Sequence, residues 1–390
     1  VRVLFVDGPP SLDWSPRSPF TKGGRRFPAL SVTGEMTYSY LNLQAAAVLR
    51  EAGHEVAYVD CQPEGVTFEE LVPLVVERAP DLVVAYVEQI KMQVDCALAA
   101  AVKERCDATV AFVGPFVTPL GAKIVRENPA VDFAIRGEYD EALLEVVERL
   151  ERGDGSWRAV EGLCVRDPSS GEVVEQGGIR HVEDLDALPF PAYDLIDFSR
   201  YRESVFRRAP AATMITSRGC PYHCNYCWFP QTIYGHRWRG QSPARVVAEM
   251  EHLHRAFGVR EIRVDDDIFE LKRPRVLEIC RLLREKELDL AWAPQCRPDM
   301  MDPELLAEMK AAGCSRILYG CESASQEILD KMHKNGKVED IENATRWTKA
   351  AGIDVHNCFM LGFPWDTRET VEKTIEWAYG LNAEFCQFGI

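Results

Sequence analysis

Short apolar runs and amphipathic stretches alternate along this chain, and the alternation predicts its fold. In the first part, strands are expected over 3–6, 55–59, 81–87, 109–113 and 133–135, where apolar residues are bounded by turn signals. Between them, apolar residues recur every three or four positions over 41–52, 68–78, 93–105, 120–127 and 140–152, the spacing of helices with one buried face. Strands alternating with helices imply a doubly wound, Rossmann-like parallel sheet, an α/β fold whose ligands lie beyond the carboxyl ends of the strands. Those ends carry Gly8 and Pro9, Glu88, Gly114, Pro115 and Thr118, then Gly137 and Glu138. The polar stretch 11–36 is long for a connection and reads as a functional loop.

Beyond residue 152 the pattern loosens. Residues 153–208 read as a connector, with a small hairpin over 162–166 and 172–175 and a Pro-punctuated apolar run at 185–193. From 209 to 390 strands are expected over 213–217, 261–267, 290–293, 316–319, 353–361 and 385–390, with helices between them. Six such units predict a partial (β/α)6 barrel with its active site at the strand carboxyl ends. The domains are then 1–152, the connector 153–208 and the barrel 209–390. At the barrel strand ends stand Asp265-Asp266-Asp267, Gln295-Cys296-Arg297, Gly320-Cys321-Glu322-Ser323 and Leu361-Gly362-Phe363-Pro364. Three consecutive carboxylates repel one another, so some must face solvent or a cation.

The strongest chemical signal follows the first barrel strand. Cys220, Cys224 and Cys227 stand at C-x3-C-x2-C spacing. Thiolates are the usual ligands of iron–sulfur clusters, and three of them leave one iron of a [4Fe–4S] cluster open. A structural zinc site, a disulfide with one thiol left over, or plain core cysteines are the alternatives. His223 beside Cys224 is poorly placed to share its metal.

With Tyr226 just before the last cysteine, the triad resembles the radical S-adenosylmethionine enzymes, whose open iron binds the cofactor's amino and carboxylate groups. The first domain, with its Gly-Pro-x-x-Thr and Arg-Gly-Glu turns, resembles the cobalamin-binding domain that precedes many such barrels. Together they resemble the cobalamin-dependent (class B type) branch, similar to the anaerobic magnesium-protoporphyrin monomethyl ester cyclase group. The resemblance implies three cofactors, the cluster, S-adenosylmethionine and cobalamin. It implies that Asp266, Asp267, Arg297, Glu322, Ser323, Tyr226, Gly362 and Pro364 hold S-adenosylmethionine. It also implies that Gly8, Pro9, Glu88, Gly114, Pro115, Thr118, Gly137 and Glu138 contact cobalamin. The D-x-H-x-x-G string that supplies a cobalt ligand in some relatives is absent, since Asp354-Val-His356 has Phe359 where the glycine would stand. Phe116 replaces a histidine common in relatives, and Trp365-Asp366-Thr367 replaces their Gly-Glu-Thr.

The implied activity is methylation of an unactivated carbon on a small-molecule or lipid-like substrate. Radical oxidative cyclisation or rearrangement is the alternative within the family, and a non-catalytic cluster or cobalamin module the alternative outside it. An electron donor such as a flavodoxin or ferredoxin is implied as partner. Because the family often continues with a further domain, the chain is expected to be a piece truncated within its sixth barrel strand.

Composition narrows this picture. Net charge is −16, which argues against a nucleic-acid surface. No run of about 18 apolar residues occurs, so no membrane span is expected. Thirteen cysteines without a secretion signal suggest a reducing, cytoplasmic setting, with most of them as small buried apolar residues.

Overall fold

A computed structural model of the chain describes residues 1–18, 21–23, 29–31, 35–203 and 206–390. The expected functional loop at 11–36 lies in part outside these residues. Two compact units are present: Val1–Phe206 with Gln231–Gly235, and Arg207–Pro230 with His236–Ile390.

The first unit is built on a seven-stranded sheet. Its strands run in the order Glu55–Asp60, Arg2–Asp7, Leu82–Tyr86, Thr109–Val113, Phe133–Ile135, Leu163–Arg166 and Val173–Glu175. The first five are parallel, and the last two continue the sheet antiparallel. The hairpin expected in the connector is therefore an extension of the sheet. Gly121 permits this, because a Cβ there would stand 2.9 Å from the Cys164 sulfur beneath it. Central strands such as Leu82–Tyr86 are buried throughout, as a sheet covered on both faces requires. Helices start where the sequence supplies caps: the Ser39 hydroxyl accepts from Asn42 N, and Thr67 and Glu70 form a reciprocal capping box. The chain reverses direction across the sheet between Arg2–Asp7 and Leu82–Tyr86. Their carboxyl ends, with Gly8, Pro9 and Glu88, thus flank the crevice where such sheets bind ligands.

The second unit holds six parallel strands in sequence order: Ala211–Met214, Glu261–Val264, Ala291–Cys296, Arg316–Glu322, Asp354–Met360 and Phe385–Gly389. Helices Pro243–Phe257, Arg273–Lys286, Pro303–Ala311, Val338–Ala350 and Arg368–Gly380 connect them, with the short Gln326–Lys331 after the fourth. This is the partial (β/α)6 barrel expected from the sequence. The first strand ends earlier than the apolar pattern predicts. Thr216 gives both its N–H and its hydroxyl to Asp266, so it cannot stay in the ladder. The third strand runs on to Cys296, with Pro294 paired to Val264 inside it.

Among the described residues, no helix is long and apolar enough to cross a membrane.

Candidate active site

The cysteine loop is held from two sides. Asn225 N–H donates to Met332 O at 3.1 Å, and Asn225 Nδ2 donates to Lys331 O at 2.9 Å. Arg297 lies over the Tyr222 ring, 3.8 Å from its centroid, and donates to Lys334 O at 2.6 Å and to both oxygens of Asp299. Its guanidinium is thus a strut between the loop and the segment after the fourth barrel strand. That placement leaves it committed where a methionyl carboxylate was expected. On the other flank, the His223 and His236 rings stack at 4.0 Å, and His236 Nδ1 meets the carbonyls of Cys220 and Tyr222.

None of the three cysteines is in a disulfide, and Cys224 is buried while Cys220 and Cys227 are half-buried. Burial above all, with Asp267 and the other two sulfurs acting against the opposing Tyr222 backbone bond, pushes the Cys220 thiol up to about 12. Such thiols ionise only when a cation answers them, which is what ligation to iron provides. Among the described residues no group of three or more His, Cys, Asp or Glu is gathered to hold a single metal ion. A cluster makes no such demand, because it spreads its thiolates over several irons. The donor set therefore fits a cluster.

Around the loop, the neighbouring strand ends deliver one connected polar group. Tyr226 donates its hydroxyl to Glu322 Oε1 at 2.9 Å, and Lys334 Nζ reaches the same oxygen at 2.7 Å and the Tyr226 hydroxyl at 3.1 Å. Burial works to strip the Lys334 proton, but the Glu322 carboxylate outweighs it, and the ammonium is held charged. Glu322 has a left-handed backbone, φ 66, at a register shift in the strand pairing. Non-glycine residues held there concentrate at functional sites. Lys334 was not among the residues singled out in the sequence. It follows Glu322 by a helix and a turn, and no spacing rule connects the two.

The three aspartates have separate roles. Asp266 is fully buried, and it accepts from Thr216 N and Oγ1 at 2.6 Å and from Ser217 Oγ at 2.7 Å. Those bonds make it the pin of the strand end rather than a group open to a cofactor. Asp265 accepts from Gln295 and Arg263. Asp267 lies near Cys220 and raises its thiol. Ser323 is engaged internally, with Ser325 N at 3.2 Å and the Thr374 hydroxyl at 3.4 Å. At the fifth strand end, the Asp366 carboxylate accepts from the N–H groups of Gly362 and Phe363 at 3.0 Å and sets the turn that carries Pro364. Phe363 packs edge-on to Tyr226 and stacks on Trp365, which gives a short aromatic row beside the cysteine loop.

In the first unit the expected cobalamin residues are likewise partly spoken for. Thr118 Oγ1 accepts from Gly137 N at 2.8 Å and donates to Thr232 O at 2.5 Å. Glu138 receives Val182 N and His181 Nδ1, each at 3.2 Å. Gly8, Pro9, Glu88 and Pro115 are buried. Gly114 has φ 112, and a Cβ there would sit 3.0 Å from Val87 O. Glycine in this conformation keeps a strand end bare for close approach by a ligand. Beside the crevice, Lys91 is fully buried between Asp7 at 3.1 Å and Asp95 at 3.2 Å.

Comparison with known proteins agrees with this geometry. Residues 214–378 match the radical SAM superfamily, and residues 32–147 match the B12 binding domain. An uncharacterized methyltransferase of Pyrococcus horikoshii is 30% identical over 88% of this chain and 74% of its own length. The anaerobic magnesium-protoporphyrin IX monomethyl ester cyclase of Rubrivivax gelatinosus is 24% identical over 88% of this chain, which spans 62% of that enzyme. The fold is shared with the radical S-adenosylmethionine methyltransferase TsrM from Kitasatospora setae, solved with cobalamin and a [4Fe–4S] cluster bound. The TM-score is 0.77 at 20% identity, over 100% of this chain and 71% of that one. The chain belongs to the cobalamin-dependent radical S-adenosylmethionine enzymes, with a B12-binding domain ahead of a radical SAM barrel and with the [4Fe–4S] cluster, S-adenosylmethionine and cobalamin as its cofactors.

Proposed function

We propose that this chain is the catalytic part of a methyltransferase that modifies an unactivated carbon of a small molecule. The observation that carries the reading is the cysteine loop braced against the Tyr226–Glu322–Lys334 group at the barrel strand ends. When bound, the cluster supplies the electron that cleaves S-adenosylmethionine reductively, and cobalamin supplies the methyl group. Cys220, Cys224 and Cys227 hold the cluster. Glu322 and Asp267 present carboxylates to the cofactor's ammonium and hydroxyl groups, and Lys334 presents a cation to its carboxylate. Tyr226, Gly362 and Pro364 border its adenine. Ser323, Asp266 and Arg297 act by fixing the loops around it. Gly8, Pro9, Glu88, Gly114, Pro115, Thr118, Gly137 and Glu138 border the corrin. The electron comes from a flavodoxin or ferredoxin in a reducing, cytoplasmic setting, where free thiols survive.

Supporting the methyl-transfer outcome is the methyltransferase name of the Pyrococcus horikoshii relative. The cyclase relative supports radical ring closure as the second reading. S-adenosylmethionine with a deuterated methyl group separates the two: label in the product supports transfer, and an unlabelled oxidised product sinks it. The anaerobically reconstituted protein should release 5′-deoxyadenosine on reduction, and Cys224→Ala should not. Release by that variant would overturn the enzyme reading itself.

A further inference from the structure

Successive residues of the barrel strands point alternately to the covering helices and to the concave face. The helix side is identified by its partners: Trp292 Nε1 donates to Ala312 O, the Tyr319 hydroxyl meets Thr348, and Asn357 Nδ2 donates to Thr345. Register then assigns the opposite face. Arg263 lies beside Ala293, Gln295 beside Leu318, Leu318 beside His356, and His356 beside Phe385. One step nearer the carboxyl ends, Gly320, Cys358 and Gln387 form the next row, and all three are part exposed or exposed. The concave face is therefore open above and closed below.

Its floor is polar. Gln295 Nε2 and Arg263 Nη2 both donate to Asp265 Oδ1. His356 is 4% exposed, its ring tilts against Phe385 at 5.8 Å and is hydrogen-bonded by the Gln387 side chain, and its Nδ1 makes no hydrogen bond. A buried ring nitrogen without a partner at the bottom of an open concave face lacks the group that would satisfy it.

We propose that this floor, made by Asp265, Gln295 and His356, is the substrate-recognition surface, and that it takes a neutral hydrogen-bonding group such as a hydroxyl or carboxamide. The proposal deepens the methyltransferase reading and rests on it. The hydrogen-bonding atoms select the class. Arg263 and Arg316 each lie 3.5 Å from a carboxylate, Asp265 and Asp354, and Asp354 is shared with Arg207 at 2.7 Å. Burial, with Arg263 and Arg316, pushes the His356 pKa down to about 4, so the ring faces its ligand neutral at physiological pH. A hydrocarbon there would leave Nδ1 unsatisfied, which disfavours a lipid-like substrate.

The test uses the protein loaded with cluster, cobalamin and S-adenosylmethionine, kept unreduced and anaerobic. Benzyl alcohol, benzamide and toluene serve as probes, and saturation-transfer NMR reads binding. The polar probes should give signals at least fivefold stronger than toluene, and His356→Phe and Gln295→Leu should each lower them at least fivefold. Glu339→Gln, on an exposed helix end, should change nothing. The second floor variant keeps the test open if the first fails to fold. Toluene binding as well as the alcohol, no binding by any probe, or unchanged binding in the folded floor variants overturns the proposal. Because binding is read without turnover, failure here is distinct from failure of reductive cleavage, which is assayed on the same sample after reduction.

Discussion

The Lys334 ammonium lies 2.7 Å from Glu322 Oε1, with only 10% and 8% of the two side chains exposed. This pair joins the fourth barrel strand to the segment that clasps the cysteine loop. Removing one partner of a buried pair leaves an uncompensated charge, at a cost of about 3–5 kcal/mol. Lys334→Met should therefore lower unfolding stability by about 3 kcal/mol or more. The double variant Lys334→Met with Glu322→Gln should recover most of that loss, because the remaining groups are neutral. Anaerobic urea denaturation measures both. Recovery of S-adenosylmethionine binding along with stability in the double variant would show that the pair acts only as scaffold.

Asp266 and Asp267 are adjacent in sequence, yet their variants should behave differently. Asp266 accepts three short hydrogen bonds while fully buried, and its burial raises its pKa against those bonds and Arg275. Asp266→Asn turns a donor toward Thr216 or Ser217 and should cost about 2–4 kcal/mol of stability. Asp267→Asn keeps the side chain's size and removes charge from two buried oxygens, so it should not lower stability, and it should weaken S-adenosylmethionine binding about tenfold. Thermal melts beside equilibrium dialysis distinguish the two. Equal destabilisation by both would make the aspartate run a single structural unit.

These contrasts show what could be read in advance. The strand and helix sequence was legible because central strands such as Leu82–Tyr86 are short continuous apolar runs, while helices such as Val338–Ala350 bury residues at helical spacing. The triad was legible because its chemistry is local, carried by three cysteines in one loop. Division of labour among polar residues was not legible. Which of Asp265, Asp266 and Asp267 is consumed depends on Thr216, about fifty positions away. Arg297 became a strut because Tyr222 and Lys334 O sit across the barrel mouth, a contact that no spacing encodes. The hairpin at 162–175 was visible as a hairpin and Phe133–Ile135 as a strand, but the pairing of the two was not.

Gly114 should resist substitution for two reasons. Its φ of 112 is strained for any side chain, and a Cβ would meet Val87 O at 3.0 Å and Tyr86 Cε2 at 3.2 Å. Gly114→Ala should cost about 1–3 kcal/mol and lower the cobalamin retained after anaerobic reconstitution, read from corrinoid absorbance. Full retention of cobalamin in a variant that is destabilised would remove Gly114 from the corrin border.

Glu270 supplies a pH-dependent test. Its carboxyl is 2% exposed and accepts from Arg297 N at 2.5 Å, and burial pushes its pKa up to about 7 from an ordinary 4.5. A carboxyl raised in the folded state holds its proton more tightly there than in the unfolded chain. Its stabilising contribution is thus present below about 4.5 and is lost as pH rises through about 7. The full swing is on the order of 3 kcal/mol. His356 acts in the opposite sense, since its pKa is depressed to about 4 and its contribution is lost as pH falls. Comparison of variant with parent at each pH isolates Glu270. Glu270→Gln keeps an oxygen for the Arg297 N–H and removes the buried charge. It should be about as stable as the parent at pH 5 and more stable by about 1–3 kcal/mol at pH 8. Anaerobic urea denaturation from pH 5 to 8 measures the difference, and a gap that does not widen with pH would mean that Glu270 is already ionised in the folded protein at pH 5.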